Sequence, residues 1–150
     1  MSERSFLETG IGAAYRDSQI KRWSHYNEPI DHSAGRLAGN SRRWGDAPDS
    51  VKADCARLLI EEAKKHGLSA KETALVLAIA KIESGFNPDA AAGTTSALGL
   101  GQFVKDTGAH YQLTGAAIYD ARAQAKALVE HYMDNKRLAV RRGEGPEYIY

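Results

Sequence analysis

The sequence has one cysteine, Cys55, in 150 residues. No internal disulfide can form, so stability must come from a packed core and not from the covalent staples of small secreted domains. Cys55 falls in an apolar helical stretch without metal-ligand spacing around it and reads as a small buried hydrophobe. Long apolar runs are also missing: none approaches the roughly 18 residues of a membrane span. The opening stretch MSERSFLETGIGAAYRDSQ lacks the cationic and apolar segments of a secretory signal. The expectation is a soluble species made in the cytoplasm. Charge of one sign is scarce: 20 Lys and Arg against 19 Asp and Glu leave +1. No field of that size steers a chain to nucleic acid or anionic lipid. The histidines His25, His32, His66, His110 and His131 do not pair with cysteines or carboxylates at zinc-site spacing. There is no phosphate-loop glycine pattern followed by lysine, and no stripe of arginines and aromatics suited to nucleic acid. The expected cofactor and metal are therefore none. Period-two strand patterns are absent as well.

Helical patterns are what the chain does contain, and they predict a mainly α-helical fold. Residues 1 to about 26 can hold one helix, with Phe6 or Leu7, Ile11, Ala14, Tyr15 and Ile20 as a loose apolar stripe. Residues 27–49 are rich in Gly, Pro, Asn, Asp and Ser and read as a loop and a boundary. This gives an N-terminal helical arm and loop over 1–48 and a main helical domain over 49–150. Trp23, Tyr26 and Trp44 lie in or beside the loop, either pinning the arm or meeting a partner or a sugar face. The pairs Arg42-Arg43 and Arg141-Arg142 read as solvated surface. Asp49 or Ser50 caps a helix reaching to about His66, with Val51, Cys55, Leu58, Leu59 and Ala63 on one face and Gly67 as its left-handed stop. Ser69-Ala70-Lys71-Glu72 is a capping box opening a second helix, with Leu75, Ile79 and Ile82 on one face and Gly85 and Pro88 at its end. A glycine-rich stretch over 87–119 follows, with room for a short hairpin and a short helix around Phe103–Tyr111. Asp120 then caps a long helix over about Ala121–Arg141, whose apolar face is Ala121, Ala125, Leu128, Val129 and Tyr132.

Glu83 stands out on physical grounds. It lies one turn after Ile79 and two after Leu75, so it continues the apolar face, and it sits in the last helical turn, where the macrodipole is negative. Partial burial and a negative helix end both disfavour a charged carboxylate. A glutamate held neutral can donate a proton, as a glycosidase acid must. Periodicity alone leaves open an ordinary solvated helix-end glutamate.

The surrounding residues point one way. AIAKIE83-S84-G85-F86-N87-P88-D89-A90 is followed by S96-A97-L98-G99-L100-G101-Q102-F103. These two blocks resemble the lytic transglycosylase family in its soluble-lysozyme-like, goose-type catalytic domain, which shows E-S-x-F-(N/D)-P-x-A and then G-A-x-G-L-x-Q with an apolar residue. The match departs at Ser96, where the family has glycine, and at Lys105, where it has proline. Asp120 resembles the aspartate that opens the family's next helix. The closing segment EGPEYIY lacks the family's Asn-Ala-Gly, and Tyr148 or Tyr150 stands nearest its tyrosine.

The resemblance implies a lysozyme-like helical domain with a glycan cleft and peptidoglycan as substrate. Glu83 would be the single catalytic carboxylate, first acid and then base, yielding a 1,6-anhydro product. Substrate contacts would come from Ser84, Gly99, Gln102, Phe103, Tyr111 and Tyr148, with Phe103 weighed as core and Tyr111 as packing too. A hydrolase of this fold needs a second acid, and Asp89 and Asp106 are the nearest in sequence. The goose-type position for it holds Val104, which leans toward transglycosylation. A glycan-binding module without catalysis is the main alternative. A wall-active monomer without a signal peptide implies action in the periplasm or wall of a target bacterium after delivery, by a phage or by a secretion system. The second setting would bring a cognate immunity protein.

Overall fold

The computed structural model describes residues 21–143. Of the helix expected within 1–26, residues 1–20 lie outside that range and 21–26 form turns; Tyr148 also lies outside it. The described residues hold four α-helices and a 3-10 turn, with no strand among them. They are α1 (Asp49–Lys65), α2 (Ala70–Ser84), α3 (Lys105–His110), the 3-10 turn Gly115–Tyr119, and α4 (Ala121–Arg141). The mainly helical class read from the sequence is what the described residues have.

The ends of these helices follow from local chemistry. Ser69 accepts from the Glu72 N–H, and the Glu72 carboxylate accepts from the Ser69 N–H, completing the capping box of α2. Asp120 caps α4 by accepting from the Ala123 N–H. Each such cap is worth about 1 kcal/mol. At the end of α1, Gly67 takes φ +71°. The Leu68 N–H reaches Ala63 O and the Gly67 N–H reaches Lys64 O, both at 3.0 Å, so the last carbonyls are satisfied by a left-handed reversal. The start of α1 differs from expectation: neither Asp49 nor Ser50 caps it. Pro48 is the N-cap, without a side-chain hydrogen bond, and Asp49 is already helical. The hairpin foreseen in the glycine-rich stretch reduces to isolated antiparallel bridges, Ala91 with Leu98 and Leu98 with Phe103.

The core lies where α4 runs along α1, with α2 closing it. Cys55, Leu58, Leu59 and Ala63 of α1 meet Ala121, Ala125, Leu128, Val129 and Tyr132 of α4. Leu128 and Val129 are fully buried, each contributing about 1.5–3 kcal/mol relative to exposure. On α2 the buried set is Val76, Ile79 and Ala80. Ile82, expected on that face, is 73% exposed. At about 100° per residue it lies some 120° off the direction of Val76. Glu83, seven residues after Val76, returns to the buried side after two turns and is half-buried.

Candidate active site

Glu83 is carried on a corner where the chain leaves α2. Gly85 and then Phe86 take left-handed φ values of 59° and 60°. Two successive residues in that region turn the backbone sharply, and the second, which has a side chain, costs about 1–2 kcal/mol. Neighbours hold the corner in place. Ser84 is fully buried, its hydroxyl donates to Ala80 O at 2.9 Å, and its carbonyl accepts from the Gly45 and Asn87 N–H groups. The Asn87 amide donates to Ser41 O at 2.9 Å and Arg43 O at 2.7 Å. Trp44 lays its indole across the end of α2, with Nε1 donating to Lys81 O and Ile82 O, each at 3.0 Å.

A Cβ added at Gly85 would lie 2.6 Å from Gly45 Cα and 2.7 Å from Gly45 N. Gly85→Ala should therefore destabilise the protein by about 2 kcal/mol or more, from left-handed strain plus backbone collision. Urea unfolding measures that loss.

Asp89 is the electrostatic centre of the corner. Its side chain is 1% exposed. Arg36 grips it with both terminal nitrogens, Nη1 to Oδ2 at 2.9 Å and Nη2 to Oδ1 at 2.5 Å. Arg42 adds Nη1 to Oδ1 at 3.4 Å, and the Gly39 N–H donates to Oδ2 at 2.8 Å. The paired carboxylate holds the Arg36 guanidinium above its ordinary range. Arg42 is 5% exposed and also donates to Glu28 O and Pro29 O, which corrects its reading as solvated surface. Arg36 and Gly39 were not singled out by sequence reasoning, and Arg42 was read as surface, because ligands some fifty residues from their carboxylate leave no local pattern.

The second block joins the first through backbone and amides. The Gly99 N–H donates to Ala90 O at 2.8 Å. Gln102 Nε2 donates to Ala90 O at 2.8 Å and to Gly99 O at 3.0 Å. Gln102 is half-buried with φ +51°. Gln124 of α4 then ties the whole together, accepting from the Leu100 N–H and donating to Pro88 O and Ile118 O. A Cβ at Gly99 would fall 2.5 Å from the Gln124 amide carbon, so glycine there serves close packing to α4.

The named site residues thus divide. Glu83, Ser84, Gly99 and Gln102 belong to two linked blocks, but Ser84 and Gly99 are buried and the contacts described for them are internal. Phe103 is buried in the core and packs edge-on against His131. Tyr111 is placed elsewhere, at the end of α3 against α4. Its hydroxyl donates to Asp134 Oδ2 at 2.8 Å and lies 3.1 Å from His131 Nδ1. Burial first, and then Asp134, holds that phenol well above its usual range. Asp106 is exposed in the first turn of α3.

One cavity of about 770 Å³ lies away from the corner, lined by the α1–α2 turn and the last turns of α4. Another of about 450 Å³ opens beside Asp89, around Arg36, Arg42 and Tyr119. Glu83 lines neither. Among the described residues no group of three or more His, Cys, Asp or Glu is gathered for a metal, and no helix is long and apolar enough to cross a membrane.

The described residues thus form a strand-free helical unit that carries a half-buried glutamate on a braced helix end. Residues 54–143, three-fifths of the chain, match the family model described as phage tail lysozyme, and the chain belongs to that family. Its activity is accordingly of the glycosidase type, directed at peptidoglycan. No curated protein and no solved structure matches the chain.

Proposed function

We propose that Glu83 is the single acid/base of a lytic transglycosylase reaction at the β-1,4 bond between N-acetylmuramic acid and N-acetylglucosamine. Protonated Glu83 gives its proton to the bridging oxygen as the C1–O bond breaks. The acetamido oxygen of the same sugar bonds to C1 and holds the developing charge. The Glu83 carboxylate then takes the proton of the C6 hydroxyl, O6 bonds to C1, and the acetamido oxygen leaves. No water is consumed, and one carboxylate serves first as acid and then as base, unlike two-carboxylate glycosidases.

The observation that carries this reading is the engagement of Asp89. The nearest candidate for a water-positioning acid is buried between Arg36 and Arg42, while Glu83 sits half-exposed on the corner they brace. The family's description as phage tail lysozyme favours a virion tail over a secretion system as the delivering machine.

Digestion of purified sacculi, with mass spectrometry of the released fragments, tests the mechanism. The expected products end in 1,6-anhydro sugar. Products one water heavier, with free reducing ends, would make the enzyme a hydrolase and turn attention to the exposed Asp106.

A further inference from the structure

The chain has two tryptophans, Trp23 and Trp44. Trp44 lies outside the stretch that matches the family. It combines two properties that usually exclude each other. The residue is 47% exposed, yet its ring is fixed. Nε1 donates to two helix-end carbonyls at 3.0 Å, and the ring lies so close to Gly85 that a Cβ there would come within 3.0 Å of Cδ2. The next residue, Gly45, donates its N–H to Ser84 O at 2.9 Å. The carbonyl of Ile82 that accepts from the indole belongs to the peptide bond leading into Glu83. An indole serving only to pin the loop would bury its faces. This one spends its polar edge on the helix end and leaves apolar surface open beside Ile82, itself 73% exposed.

We propose that Trp44 is a sugar platform for the glycan strand next to Glu83, stacking against the apolar C–H face of an N-acetylated pyranose ring. The inference rests on the reading of Glu83 as the acid/base. The chemistry suits the occupant: a pyranose presents axial C–H bonds on one face and equatorial hydroxyls at its rim, and a flat aromatic covers the first without desolvating the second. A ring already held by its N–H loses little freedom when the sugar docks. Because Trp44 meets a sugar face and not the reacting atoms, its contribution is alike in ground and transition states and appears in KM.

The test uses the small number of tryptophans. In the full chain carrying Trp23→Phe and Glu83→Gln, Trp44 is the sole indole and turnover is blocked. Titration with a soluble tetrasaccharide of alternating N-acetylglucosamine and N-acetylmuramic acid should shift Trp44 emission to the blue and saturate. In the chain with Glu83 intact, Trp44→Ala should raise KM on that glycan roughly tenfold and leave kcat within about twofold, with Trp44→Phe between. Saturable glycan binding by calorimetry with unchanged Trp44 emission overturns the proposal, and the titration decides even if Trp44→Ala does not fold. If Glu83→Gln alone keeps full activity, the reading of the acid/base has failed instead, whatever the emission does.

Discussion

Glu83→Gln is expected to slow sacculus digestion by about 10²- to 10⁴-fold, the range that a positioned acid/base contributes, with the far-ultraviolet circular dichroism unchanged. Glutamine keeps the shape of the side chain and one acceptor oxygen but has no proton to give to a glycosidic oxygen and no carboxylate to take one back. Groups other than the Glu83 carboxyl brace the corner. Ser84, Asn87 and Asp89 make the contacts to the preceding loop, and Trp44 grips backbone carbonyls. Loss of rate in a folded variant therefore reads as loss of chemistry. A Glu83→Gln chain that digests walls at the normal rate would place the acid elsewhere and would remove the basis of the single-carboxylate mechanism.

Asp89→Asn carries the largest expected cost in stability, about 3–5 kcal/mol, the loss seen when one partner of a buried ion pair is removed. The substitution leaves Arg36 and Arg42 facing a neutral amide. Their side chains are 15% and 5% exposed, so water cannot replace the missing charge. At roughly 2–4 °C per kcal/mol for a chain of this size, the thermal midpoint should fall by about 10 °C. Asp54→Asn provides the contrast, because its partner Arg57 is 62% exposed and the change should stay within about 1 kcal/mol. Urea unfolding of both variants separates the two cases. A loss below about 1 kcal/mol for Asp89→Asn would mean that the arginine loop is not locked by charge.

The helices that organise the fold were legible because their signals are local. The capping box of α2, the Asp120 cap, the Gly67 stop and the apolar stripe of α4 each lie within one segment, and each is in place. The partial burial of Glu83 was legible for the same reason, since it lies one turn after Ile79. The rest required pairs far apart in sequence. Arg42 reads as surface until Asp89 is folded against it, and nothing near Pro48 announces a helix that starts without a side-chain cap. Ser84 and Gly99 were named as substrate contacts by the resemblance alone; both are buried, and the partners described for them lie within the fold. Ile82 was placed on one face with Leu75 and Ile79; the angle measured from Val76 sets it outside.

Cys55 closes the account of how this chain holds together. It is fully buried in the core that α1 and α4 share, and burial, with lesser help from Asp54, pushes its thiol up to about 12. At neutral pH the sulfur is therefore protonated and a poor nucleophile, shielded from oxidants and from other thiols. With one cysteine in the chain there is also no internal cross-link to form or to lose. The folded state is thus redox-silent: carried from reducing to oxidising surroundings, it meets the change with the same covalent structure.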